Sequence, residues 1–177
     1  MKKVALIAYP HTLATSITLP AEILMAACQQ VTAAKKVSAE LSIQIVTSTN
    51  ETISSTSGLP IVPSCKLEDL ADLDLIILPS MWRNPRRMVK QNKQLLPVLR
   101  RYHQQGTLIC AVGTGAYFLA AAGLLDNKPA TTHWFYFDDF AKTFPAVQLK
   151  TSHIITKSDN LYCAGSINAV ADLSSHF

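Results

Sequence analysis

The residues best placed to do chemistry form one unbroken run, Leu108-Ile109-Cys110-Ala111-Val112-Gly113-Thr114-Gly115-Ala116-Tyr117. Apolar residues lead into a Gly-Thr-Gly turn that opens a helix, and ligands of open α/β sheets bind at such carboxyl ends of strands. A residue at the apex of that turn is held exposed and strained, with helix N-terminal amides beside it that can stabilise an anion. A hydrolase would mount Ser or Cys at the apex. Here the apex is Gly113, which has no side chain, so the Gly113-Thr114 turn marks a binding pocket and covalent catalysis from the apex is excluded. Cys110 lies inside the strand, where a buried and unreactive thiol is expected.

Other candidates flank this turn. His11 follows the first apolar run and is read either as part of the pocket rim or as a solvated loop residue. His133-Trp134 sits at a strand-to-helix junction after Thr131-Thr132. The favoured reading has Thr132 capping the helix and Trp134 filling core, while the sharper one makes His133 a polar wall of the pocket. Trp82 either covers the pocket mouth or is itself buried. His153 and His176 carry no partner signal and are expected on the surface. The four cysteines, at 28, 65, 110 and 163, form no CxxC pair and no close Cys/His group. That argues against a zinc site or a disulfide scaffold and for reduced thiols in the cytosol.

The elements that must position these residues follow from the pattern of the chain. Of 177 residues, 49% are hydrophobic and 16% charged, which suits one compact domain with a sizeable core. Short apolar runs at 4–8, 41–46, 73–78 and 107–112 alternate with stretches of helical period. Parallel strands joined by crossover helices leave this pattern. A helix is expected over 19–36, where Ile23, Leu24, Ala27, Val31 and Ala34 recur at helical steps and Pro20 suits a first turn. The Ser/Thr-rich segment 47–58 is expected to be a turn or exposed hairpin before a short extended piece at 59–63. Asn84-Pro85 is read as N-cap and first helical residue, and Pro97 belongs to a second short helix from about Gln94 to Gly106. Helices are further expected over 114–123, 133–144 and 167–177, the last with Ile167, Val170, Leu173 and Phe177 at helical spacing. Segments 147–155 and 160–163 are expected to pair across a Ser158-Asp159-Asn160 turn. The final helix has no stop signal, so a domain cut from a longer chain is expected.

The opening Met-Lys-Lys and its apolar run imitate a signal peptide, yet Tyr9-Pro10-His11 interrupts the run short of the roughly 7–15 apolar residues such a signal needs. No stretch approaches the ~18 apolar residues of a membrane span, so a soluble, cytoplasmic protein is expected. The net charge of +4 permits contact with anions without requiring it. Residues 83–106 hold Arg83, Arg86, Arg87, Lys90, Lys93, Arg100 and Arg101 and no acid. A nucleic-acid footprint is one reading; a solvated face split over two short helices is the stronger one.

The run Val112-Gly113-Thr114-Gly115-Ala116-Tyr117-Phe118-Leu119-Ala120-Ala121-Ala122-Gly123-Leu124-Leu125-Asp126, followed by Pro129-Ala130-Thr131-Thr132-His133-Trp134, resembles the signature of PfpI-type, class I glutamine-amidotransferase-like domains. The Ala-Thr-Thr-His-Trp box is similar to the version at the N-terminus of AraC-family transcriptional regulators. Leu19-Pro20-Ala21-Glu22, Gly58-Leu59-Pro60-Ile61 and Ala164-Gly165-Ser166 with Ala171-Asp172-Leu173 extend the resemblance over nearly the whole chain. It implies an α/β, doubly wound, flavodoxin-like fold with a mostly parallel sheet and helices on both faces. It also implies a nucleophilic Cys where this chain has Gly113, a Glu beside it at Glu22, and oxyanion amides in a Gly-Gly turn that falls here at Ser80-Met81. Two of these three features have departed. The resemblance therefore implies a non-catalytic sensor, and with the residues singled out above the candidate ligand-binding set is Glu22, Gly113, Thr114, His11, Trp82 and His133. Glu22 is read either as pointing into the pocket, the favoured reading, or as a carboxylate on the solvent face of helix 19–36. Its partners would be a small-molecule effector, a second copy in a homodimer, and DNA only through a helix-turn-helix part not in this chain. No cofactor, metal or membrane contact is implied. A PfpI-like hydrolase, amidase or hydratase with an atypical site is the alternative, and a scaffold that only dimerises is a third reading.

Overall fold

In the computed structural model, residues 2–35 and 40–174 are described. The chain runs β1 (Lys2–Ala8), α1 (Thr15–Lys35), β2 (Leu41–Thr47), β3 (Ile53–Ser54), β4 (Pro60–Ile61), β5 (Leu75–Leu78), α2 (Pro85–Gln91), α3 (Leu95–Gln104) and β6 (Leu108–Val112). It continues through α4 (Ala116–Ala121), β7 (Pro129–Ala130), α5 (Phe137–Thr143), β8 (Gln148–Leu149), β9 (Ile155–Ser158), β10 (Leu161–Ala164) and α6 (Ile167–Ser174).

Six strands form the main sheet in the order β2-β1-β5-β6-β10-β9. Every neighbouring pair is parallel except the edge strand β9, which lies antiparallel to β10. The central strands are apolar throughout because both faces of the sheet are covered, as the wholly buried Leu75–Leu78 illustrates. One face, with Val4, Leu6, Ile77 and Cys110, packs against Ile17 and Leu24 of α1 and Ala169 of α6. The other, with Ile7, Ile76, Leu78 and Ile109, packs against Met88, Leu99, Phe118 and Phe140 of α2 to α5. The fold is thus doubly wound, as expected. The strand order reverses between β1 and β5, and there the two strand exits are tied together. Leu13 N donates to Ser80 O (2.9 Å), and Trp82 N donates to His11 O (3.0 Å).

Several expectations are corrected. The first helix starts at Thr15, not 19, because Ser16 is drawn into the opening turn by its hydroxyl bond to Leu13 O (2.6 Å); Pro20 lies inside the helix. Asn84 does precede Pro85 but makes no side-chain cap bond, since it sits in a left-handed conformation (φ 46°). Segment 133–144 is not one helix: a 3-10 turn at Trp134–Tyr136 precedes the short α5. Nor is 147–155 one strand. Gln148–Leu149 pairs with β7, and only Ile155–Ser158 forms the hairpin with β10. The polar segment 47–58 is not a hairpin by itself: its strand β3 pairs antiparallel with β4 in the extended piece that follows. Phe177, His176 and Lys36 lie outside the described residues. Among the described residues, no helix is long and apolar enough to cross a membrane.

Candidate functional site

The carboxyl ends of β1, β5 and β6 converge on Gly113. Its φ of +51° is the left-handed backbone that an L side chain adopts only at a cost. A Cβ built there would stand 2.8 Å from Ser80 Oγ and 3.7 Å from His133 Cβ, so the place of an apex side chain is taken. Gly115 is required for a different reason: a Cβ there would meet Leu78 O at 2.5 Å, and only glycine lets the start of α4 come so close to β5.

Around this apex lies a floor of buried hydroxyls. Thr114 Oγ1 accepts from Met81 N (2.8 Å), donates to Met81 O (3.0 Å) and lies 3.1 Å from Ser80 Oγ. Ser16 Oγ accepts from Ser80 N (3.1 Å), and Thr12 Oγ1 donates to Ser80 O (3.2 Å). Thr132 Oγ1 donates to Gly113 O (3.0 Å). Ser16, Ser80, Thr114 and Thr132 are all buried. The amides of Ser80 and Met81 are therefore satisfied by the chain's own side chains and are not free to receive an oxyanion.

Above the floor opens a cleft of about 350 Å³, walled by Leu13, Met81, Trp82, Arg83 and the segment from His133 to Tyr136. Its mouth is aromatic and exposed: Trp82 is 54%, Trp134 69% and Phe135 68% exposed. Trp134 and Phe135 meet edge to face at 5.8 Å. The expectation that Trp134 fills core is overturned. So is the expectation that Thr132 caps the following turn, since its hydroxyl goes to Gly113 O and the acceptor for Phe135 N is His133 Nδ1 (3.3 Å). Partial burial holds the His133 imidazole below its ordinary range, favouring the neutral ring.

Of the sequence candidates, Thr114, Trp82 and His133 line the cleft, and Gly113 lies beneath it. His11 does not line it. It turns through a left-handed conformation (φ 62°) with its side chain exposed, and its backbone holds the crevice together. Glu22 is also outside the cleft, exposed two residues beyond Pro20 on α1. The reading that aimed it into the pocket is corrected: it is Ser16 of α1 that faces the crevice, through its bond to Ser80 N, and Glu22 lies on the exposed side of the helix. Sequence reasoning missed Ser16 and Tyr136, placed Ser80 only as a departed oxyanion turn, and read Arg83 only as part of a basic stretch. Their only local signal is a position just after an apolar run or within an aromatic cluster.

The cysteines offer no nucleophile to the cleft. All four are free thiols, and none lines it. Burial pushes the Cys110 thiol far above the ordinary thiol range and the Cys163 thiol up to about 12. Among the described residues, no group of three or more His, Cys, Asp or Glu could hold a metal.

The chain is 33% identical over 123 residues to the isonitrile hydratase of Pseudomonas putida, an alignment that covers 69% of this chain and 51% of that protein. It is 29% identical over 122 residues to the HTH-type transcriptional regulator CdhR of Pseudomonas aeruginosa, covering 67% of this chain and 35% of that protein. The chain thus spans about half or less of the length of these relatives. Its fold matches that of an AraC family transcriptional regulator from Pseudomonas putida (TM-score 0.77, 20% identity, 98% of this chain and 89% of that one). It also matches Drosophila melanogaster DJ-1beta (TM-score 0.79, 15% identity, 98% and 86%). The DJ-1/PfpI family model matches residues 2–174, so the chain belongs to the DJ-1/PfpI family.

Proposed function

We propose that this domain is the non-catalytic, ligand-binding part of an AraC-type transcriptional regulator, acting in the cytoplasm as a homodimer. A small-molecule effector would occupy the cleft between Trp82 and His133 above the Gly113-Thr114 turn. DNA would be contacted only by a helix-turn-helix part outside these residues. The observation that carries the reading is the state of the apex: Gly113 has no nucleophile, and Ser80 Oγ stands within 2.8 Å of where the first atom of one would go. Similarity to HTH-type regulators supports the regulatory half of the proposal. To signal, the effector would have to bind one arrangement of the dimer better than another.

Thermal denaturation against a metabolite library tests it. At least one compound should raise the melting temperature in a concentration-dependent way, and mass spectrometry should find that compound unchanged. A library without a single stabilising member would leave the scaffold reading; turnover of a bound compound would leave the enzyme. The 33% identity to an isonitrile hydratase favours a hydratase as the second reading. Incubation with an isonitrile and analysis for the formamide decides it, and no product is expected. Iodoacetamide gives an independent check, since Cys110 and Cys163 should stay unlabelled in the native protein. Rapid, selective labelling of Cys110 would revive the enzyme.

A further inference from the structure

The turn Trp82-Arg83-Asn84 holds two consecutive non-glycine residues in left-handed backbone, Arg83 at φ 66° and Asn84 at φ 46°. Such strain persists only where the surroundings impose it. Here the bond from Trp82 N to His11 O fixes the turn (3.0 Å). The result is that Arg83 borders two adjoining depressions. One is the aromatic cleft; the other is a groove of about 610 Å³ lined also by Arg86, Arg87, Phe135, Tyr136 and Asp139.

Charge is distributed unevenly here. Asp139 is committed twice, accepting from Tyr117 Oη (2.8 Å) and pairing with Arg86 (3.2 Å). Arg83 and Arg87 have no carboxylate within ion-pair distance among the described residues, and no acid lines the cleft. The floor gives a ligand's polar end little help, because the Ser80 and Met81 amides already have internal partners. A cation resting on the aromatic faces would sit beside the uncompensated Arg83 guanidinium, with Arg87 in the adjoining groove, and be repelled. A carboxylate would meet a planar donor fork that matches its own geometry.

We infer that the effector is a small organic carboxylate whose charged end is held by Arg83, with Arg87 beside it, and whose apolar body lies against Trp82, Trp134 and Phe135. This rests on the ligand-binding reading above and adds the ligand's chemical class.

The chain has two tryptophans, Trp82 and Trp134, and both stand at the mouth, so intrinsic fluorescence reports on this site directly. The 177-residue chain is titrated with 3-phenylpropionate, 3-phenylpropionamide and 3-phenylpropylamine, which share a body and differ in charge. The carboxylate is expected to change the emission saturably and to bind about tenfold or more tightly than the other two, the scale of one charge-assisted contact. Arg83→Gln should remove that preference, while Arg101→Gln, which alters a guanidinium stacked on Tyr102, should not. Without any ligand, iodide should quench the tryptophans more strongly than caesium, and Arg83→Gln with Arg87→Gln should narrow the difference. If the amide or the amine binds as tightly as the carboxylate, the inference fails while the ligand-binding reading stands. It also fails if Arg83→Gln changes nothing, if the two ions quench alike, or if none of the three compounds perturbs the tryptophans. The metabolite library then judges ligand binding separately.

Discussion

The floor and the mouth of the cleft are a few residues apart in sequence and opposite in character. At the floor, the hydroxyls of Ser16, Ser80, Thr114 and Thr132 are buried, and each has a partner within the chain. At the mouth, Trp82, Trp134 and Phe135 are more than half exposed, and among the described residues Arg83 has no carboxylate within ion-pair distance. In a nucleophilic enzyme the floor would be the unfinished part, keeping amides and a reactive atom ready for substrate. In this chain the floor is complete and the mouth is open. On the ligand-binding reading proposed above, selectivity would come from the rim, while the floor contributes rigidity.

The largest effect that tests this contrast is expected from Thr114→Val. The substitution removes the partner of both Met81 N and Met81 O in a buried site, and should cost roughly 3 kcal/mol at about 1–3 kcal/mol per orphaned group. Thermal unfolding measures it; a loss below about 1 kcal/mol would mean that the floor is not the self-contained network described. Gly113→Cys comes next, at about 2 kcal/mol from the left-handed backbone, with the Ser80 Oγ contact added. Combining it with Ser80→Gly should cost less than the sum of the single changes, because the two sites share one volume. Simple additivity would separate them.

A smaller effect concerns His133. Burial lowers its pKa, so between the folded value and the ordinary value of about 6.5 the unfolded chain binds more protons. The contribution is therefore fully present above pH ~6.5 and is lost as the pH falls through that range. An imidazole NMR titration should place the His133 midpoint below the ordinary value of about 6.5; a midpoint at or above it would mean that the ring is not desolvated. Smallest of all is Trp134→Ala, expected within about 0.5 kcal/mol for an exposed residue. A loss near the roughly 3–5 kcal/mol of a core tryptophan would place it back inside the protein.

The sheet was legible because buried parallel strands leave unbroken apolar runs. The segments 75–78 and 108–112 needed no knowledge of their neighbours, and the glycines at 113 and 115 marked the elbow. What was hidden depends on partners distant in sequence. Ser16 reaches Ser80 N from 64 residues away, and nothing in Thr15-Ser16-Ile17 announces that bond. Trp134 was misplaced for a different reason: apolar character fills cores, but it does not oblige each large side chain to be buried. Glu22 carried a motif's expectation onto α1, whose buried face is held by Ile17 and Leu24. Off that face, its side chain meets solvent.

Ser80 Oγ, standing where Gly113 would place its first side-chain atom, also bears on how this lineage can change. A mutation introducing sulfur at 113 alone would be penalised before it conferred any reactivity, and trimming residue 80 alone would loosen the elbow for no return. Covalent chemistry from residue 113 would thus require two changes, while aromatic and basic positions at the entrance can be exchanged one at a time. On the ligand-binding reading proposed above, divergence should therefore accumulate at the rim before it reaches the elbow.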